Sequence, residues 1–144
     1  MRALYAHDRL EFEEKAARTA LLGLLEAPHR GRVFLVESGG ALTGYIVLTL
    51  GWSLEYRGMD AFIDELFVDE AFRGRGLGKA AVERVVRAAR ALGVRALHLE
   101  VERANLPAQE LYRKIGFEDH DRYLLTRWIR KATPPRRRAR ALPG

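Results

Sequence analysis

Residues 61–101 read AFIDELFVDEAFRGRGLGKAAVERVVRAARALGVRALHLEV, and this stretch decides the fold. Residues 61–68 form an apolar run of strand length, interrupted only by Asp64 and Glu65. The glycine-rich segment Arg73-Gly74-Arg75-Gly76-Leu77-Gly78-Lys79 follows. Leu77, Ala81, Val85, Ala88, Ala89 and Leu92 then recur at the spacing of one helix face. Gly93 stands where it can cap that helix, and residues 96–101 read as a second strand. A strand, a crossover helix and a second strand in this order predict a parallel pair with a right-handed connection.

Working outward from that unit, the rest reads as antiparallel. Asp8 with Glu11 has the spacing of a capping box, and Phe12, Ala16, Ala20, Leu21, Leu24 and Leu25 mark an amphipathic helix as far as Glu26. Pro28 and Gly31 end it. The runs 33–37 and 41–50 flank Ser38-Gly39-Gly40, which is turn chemistry at hairpin spacing. A second turn near Tyr56-Arg57-Gly58 leads into residue 61. Beyond residue 101, residues 108–115 read as a short helix closed by Gly116, and 123–129 as a final strand. The fold class is therefore α/β (α+β), a mixed sheet that is mostly antiparallel with a parallel pair inside it.

Composition narrows the function. The 144 residues suit one domain, and 48% apolar content supplies a core. We expect that domain to cover residues 1–130. The net charge of +6 is concentrated at one end, because Lys131, Arg136, Arg137, Arg138 and Arg140 account for all but one of it. Residues 131–144, rich in proline and arginine, are expected to be a disordered tail, which makes nucleic acid an unlikely partner for the nearly neutral body. There is no cysteine, and His7, His29, His98 and His120 lack metal-ligand spacing. No metal site is expected. No apolar stretch has the length of a membrane span or of a signal peptide's core, so the expectation is a cytoplasmic protein.

The glycine-rich loop carries the chemistry. At a strand-to-helix junction the first helical N–H groups lack intrahelical partners and the helix dipole favours an anion, so such a loop holds phosphate. The alternating glycines admit a close ligand, and Arg73, Arg75 or Lys79 can add charge. Two phosphate loops fail on spacing. Gly74 and Gly78 enclose three residues where a Walker A loop needs four, and Ala80 follows Lys79 where a hydroxyl is required. The dinucleotide fingerprint needs glycine where Lys79 stands and an acid near Val94.

What remains resembles motif A of the GNAT acetyltransferase superfamily, Arg/Gln-x-x-Gly-x-Gly/Ala, met by Arg73, Gly76 and Gly78. A second motif follows in order, Asn105-x-x-Ala108-x-x-x-Tyr112-x-x-x-Gly116-Phe117. The resemblance covers roughly residues 33–129 and weakens before Val33, where the family's first strand is short or missing. It implies a three-layer fold in which the central parallel strands splay apart, and acetyl-CoA as the coenzyme. Main-chain groups of Leu66, Phe67 and Val68 would hold the pantetheine arm, residues 73–79 (Gly74, Arg75, Leu77 and Lys79 included) the diphosphate, and Asn105 and Ala108 the arm's neighbourhood. The implied reaction is direct attack of a primary amine on the thioester. Tyr112 would be the acid and a backbone N–H near Phe67 or Val68 the oxyanion donor.

Three carboxylates are candidates for the base: Asp64, Glu65 and Glu100. Neighbours on a strand face opposite ways, so Asp64 and Glu65 share a side only if a bulge intervenes. Asp64 ranks first, Glu100 third. The acids favour a cationic acceptor, either a small amine or a protein amine, and Trp52, Leu54 and Tyr56 could either line its pocket or pack a hairpin. Family members often form homodimers, which these residues do not decide. The competing reading is a non-catalytic acyl-CoA-binding module that recruits an acidic partner or nucleic acid through the arginine tail.

Overall fold

Gly39 and Gly40 both adopt positive φ, 59° and 78°, and so close a two-residue turn whose twist matches the strands it joins. Those strands are β1 (Gly31–Ser38) and β2 (Ala41–Ser53), paired antiparallel. A second turn, with Arg57 at φ 58°, reverses the chain into β3 (Gly58–Val68), antiparallel to β2. The computed structural model describes residues 1–7 and 12–129. Two helices precede the sheet, α1 (Arg2–His7) and α2 (Glu14–Leu25), and among the described residues no strand precedes Gly31. The capping box expected at Asp8 and Glu11 lies outside the described residues, as does the tail 131–144.

After β3 a short 3-10 turn (Glu70–Phe72) leads through the glycine loop into α3 (Leu77–Ala91), then β4 (Ala96–Leu99) and α4 (Leu106–Lys114). The sheet order is β1-β2-β3-β4, with β3 and β4 parallel, as residues 61–101 predicted. The apolar stripe of α3 explains the packing. Val82 and Val85 are fully buried, and with Ala81 and Ala89 they meet Ile46, Leu48, Ala61 and Ile63 on the facing side of the sheet. Each large side chain so buried contributes roughly 1.5–3 kcal/mol. The core thus clamps β2 and β3 to α3 and fixes where β3 ends and the glycine loop begins.

The described residues fall into two compact units, Gly23–Asp119 and one made of Met1–Leu22 with the chain from His120. The first carries the sheet, α3 and α4. In the second, Arg2 is paired with Glu14, and Phe12 takes the edge of Tyr5 at 5.4 Å between ring centroids.

One expected element is corrected. Residues 123–129 form no strand. Leu124, Leu125 and Ile129 are 69%, 89% and 87% exposed, and strand-forming side chains left this open to solvent realise little of their intrinsic preference. The predicted 96–101 strand is also shorter, ending at Leu99.

Candidate active site

The site begins with an irregularity in β3. Its register with β2 slips between Val47 and Leu48, so that Glu65 faces Val47 while Ile63 faces Leu48 and Asp64 has no partner. This is a β-bulge. Ile63 and Leu66 both pack toward the α3 core with two residues between them, and Asp64 and Glu65 therefore share the opposite face. The condition set by the alternation rule is met.

The parallel ladder stops at the same place. Ile63 and Leu99 are its last pair, yet β3 runs five residues further, to Val68. β4 ends at that rung while β3 continues, which leaves a fork. Asp64 and Glu100 are the first residues past that last rung, so all three candidate carboxylates sit at the fork. Although Asp64 keeps much of its surface exposed, burial about its carboxyl raises its pKa above the usual carboxylate value. Solvent on the open side limits that shift. Glu65 accepts a hydrogen bond from the Tyr45 hydroxyl at 2.8 Å.

Past the fork, β3 has an open edge. Asp69 N–H bonds the Thr43 carbonyl on the β2 side at 2.7 Å, and ladder groups alternate direction, so the main-chain groups of Leu66 and Val68 point to the open edge. Those of Phe67 turn to Tyr45, its partner in β2. Leu66 and Val68 thus face the open edge, and Phe67 does not.

The glycine loop continues that edge. Gly74 and Gly76 have φ of 74° and 77°, and Gly76 is the N-cap of α3 with no side chain capping the helix. Its first N–H groups are thus left for a ligand. A Cβ at Gly74, Gly76 or Gly78 would meet nothing within 4 Å. Positive φ explains the first two glycines, but Gly78 has neither strain nor a neighbour to explain it; its bare backbone faces open space where a close ligand fits. The residues present suit a diphosphate. The basic side chains are partly committed, since Arg73 Nε donates to the Val68 carbonyl at 2.9 Å and Arg75 donates to the Ala71 carbonyl at 3.2 Å. Lys79 lies 3.8 Å from Glu83.

On α4, Asn105 accepts the Ala108 N–H at 3.2 Å and caps the helix, leaving its amide hydrogens to donate outward. Tyr112 packs against the core and meets Phe117 edge-on at 5.9 Å. Burial raises its pKa above the ordinary phenol value. At the other end of β3, Trp52 and Leu54 are 74% and 88% exposed and pack no hairpin core. Tyr56 meets His98 at a tilt, 4.8 Å between ring centroids, and His98 also meets Phe62 and lies 3.7 Å from Asp60. A groove of about 200 Å³ between β1 and α3, lined by Phe34, Val36, Leu77 and Arg84 among others, includes none of Asp64, Glu65, Glu100 or Tyr112. The candidate carboxylates lie at the fork, not in the groove. Tyr45 was missed in the sequence, since only the β2–β3 register shows that it reaches Glu65.

The Acetyltransferase (GNAT) family matches residues 1–117, and the chain belongs to that family. An uncharacterized N-acetyltransferase of Methanocaldococcus jannaschii is 32% identical over 120 residues, 82% of this chain and 51% of that protein. The chain thus spans about half the length of that relative. The crystal structure of an integron cassette protein from the mobile metagenome of Cole Harbour Salt Marsh is 38% identical, with a TM-score of 0.78 over 89% of this chain and 79% of the other. AAC(6')-Iy, solved with a bisubstrate analogue joining CoA to monomethyl-acetylneamine, shares the fold at 22% identity, with a TM-score of 0.71 and 88% of each chain covered. No helix among the described residues is long and apolar enough to cross a membrane.

Proposed function

We propose that the chain is an N-acetyltransferase that moves the acetyl group of acetyl-CoA directly to a primary amine. The observation that carries this is the continuity of the open β3 edge at Leu66 and Val68 with the uncapped start of α3. An extended amide-bearing arm fits the first and a diphosphate the second. Acetyl-CoA, when bound, supplies the activated acyl group. Gly74, Gly76 and Gly78 would leave room for its phosphates, and the Val68 N–H is the donor available for developing negative charge.

Asp64 is the proposed base. It lies at the fork with no hydrogen bond or ion pair to a described residue, and its raised pKa makes it a better proton acceptor than an ordinary aspartate. Glu65 and Glu100 make the surroundings anionic, which favours an ammonium-bearing acceptor. Tyr112 is the proposed acid, because a phenol kept protonated by burial still holds its proton at neutral pH. The family relation and the CoA-bearing AAC(6')-Iy structure support the coenzyme assignment.

Isothermal calorimetry of the full chain with acetyl-CoA tests the reading, with micromolar or tighter binding expected. A panel of primary amines assayed for free-thiol release then identifies the acceptor. Absence of acetyl-CoA binding overturns the reading, and binding without acetylation of any amine leaves only the coenzyme half of it standing.

A further inference from the structure

Arg73 sits where the strand edge becomes the glycine loop. Because Asp69 N–H is bonded toward β2, the Val68 carbonyl faces the open edge, and Arg73 Nε donates to it at 2.9 Å. The guanidinium carbon stands 5.9 Å from the centre of the Phe67 ring, a cation–π distance. Its two terminal nitrogens make no hydrogen bond or ion pair with a described residue. An arginine fork can hold different acceptors on different edges at once, which a lysine ammonium on a flexible stem does not do in fixed geometry. Arg75, by contrast, bonds Ala71 and covers Phe72 at 5.2 Å, and so closes the turn on itself without touching β3.

We propose that Arg73 is a positioning residue that straps the diphosphate loop to the pantetheine-binding strand edge, so that the two halves of the coenzyme bind as one unit. This rests on the acetyl-CoA reading above. With Nε on Val68, the terminal nitrogens remain for a phosphate oxygen. Occupation of the loop then immobilises the last edge carbonyl of β3, and with it the Val68 main chain. A plain surface charge would attract phosphate equally well but would leave the strand end unaffected. The two roles therefore differ in which part of the coenzyme loses affinity when the fork is replaced by a point charge.

Calorimetry of the full chain with CoA and with its nucleotide half, 3'-phosphoadenosine 5'-diphosphate, separates them. In Arg73→Lys the nucleotide half should bind within about threefold of wild type, because the charge is kept, while CoA should bind at least about tenfold more weakly. Arg75→Lys should change both ligands by the same factor. Arg73 is exposed, and a melting curve for each variant shows whether it is folded. Equal losses for both ligands in Arg73→Lys, or no loss for either, overturn the strap alone. Failure of wild type to bind either ligand overturns the coenzyme reading and the strap with it.

Discussion

The Tyr45 hydroxyl donates to Glu65 Oε2 at 2.8 Å, across the β2–β3 pair and beside the bulge that places Asp64 on the same face. One of two adjacent carboxylates is held by a donor, and the other has no such partner. The Tyr45 bond fixes Glu65 in place, whereas the partly desolvated Asp64 carboxylate takes up a proton more readily than an ordinary aspartate. Asp64→Asn should therefore lower kcat by roughly 10²–10⁴-fold, the usual worth of a positioned base. Tyr45→Phe should cost less and act mainly on the acceptor's KM. Steady-state kinetics with the best amine of the panel check both, and a larger kcat loss for Glu65→Gln than for Asp64→Asn would reverse the assignment.

The raised pKa of Asp64 also predicts a stability effect. The folded state binds this proton more tightly than the unfolded chain, so between the unfolded value of about 3.9 and the raised folded value stability falls as pH rises. Above that window the ionised carboxylate is a net cost, and below it the cost vanishes. Asp64→Asn should raise Tm at neutral pH and lose that advantage near pH 4, as read by thermal melts across the range. A lower Tm at pH 7 would mean that the carboxylate makes a stabilising contact.

Tyr112 gives a separable prediction. Phenylalanine preserves the edge contact with Phe117 and the packing on the core and removes only the hydroxyl. Tyr112→Phe should slow turnover by about 10²-fold or more while acetyl-CoA affinity stays close to wild type. Parallel titration of binding and single-turnover rate decides it. A variant with full kcat would remove the tyrosine from the acid role.

The loop glycines divide by conformation. Gly76 is left-handed at the N-cap, so Gly76→Ala should destabilise by about 1–2 kcal/mol. Gly78 is the second residue of α3 in open space, and Gly78→Ala should stabilise by about 0.5–1 kcal/mol while weakening acetyl-CoA binding. Urea titration and calorimetry on the same preparations give both quantities. Unchanged coenzyme affinity in Gly78→Ala would place the phosphates elsewhere.

Much of this was legible in the sequence because the signals were local. The hairpin at Gly39-Gly40, the α3 stripe and the Gly93 and Gly116 stops each depend on residues within a turn or two. The bulge was anticipated only as a condition, since whether Asp64 and Glu65 share a face is decided by β2, which lies earlier in the chain. Tyr45 escaped for the same reason: twenty residues separate it from the carboxylate it holds. Residues 123–129 misled because β-branched and aromatic composition reports a willingness to pair, and pairing needs a neighbour. Arg73 was read as free charge for a ligand, and only coordinates could show its Nε already spent on Val68.

The single extra residue in β3 leaves this protein open to improvement of the wrong kind. Deleting Asp64 would let Ile63 run straight into Glu65 with regular pleating against Leu48 and Val47, removing an unpaired rung and a desolvated charge in one step. Selection for heat resistance alone would tend toward such a shortened strand. It would yield a sturdier sheet in which the three acids at the fork have been reduced to two, so a screen that scores folding without turnover would discard the proposed base.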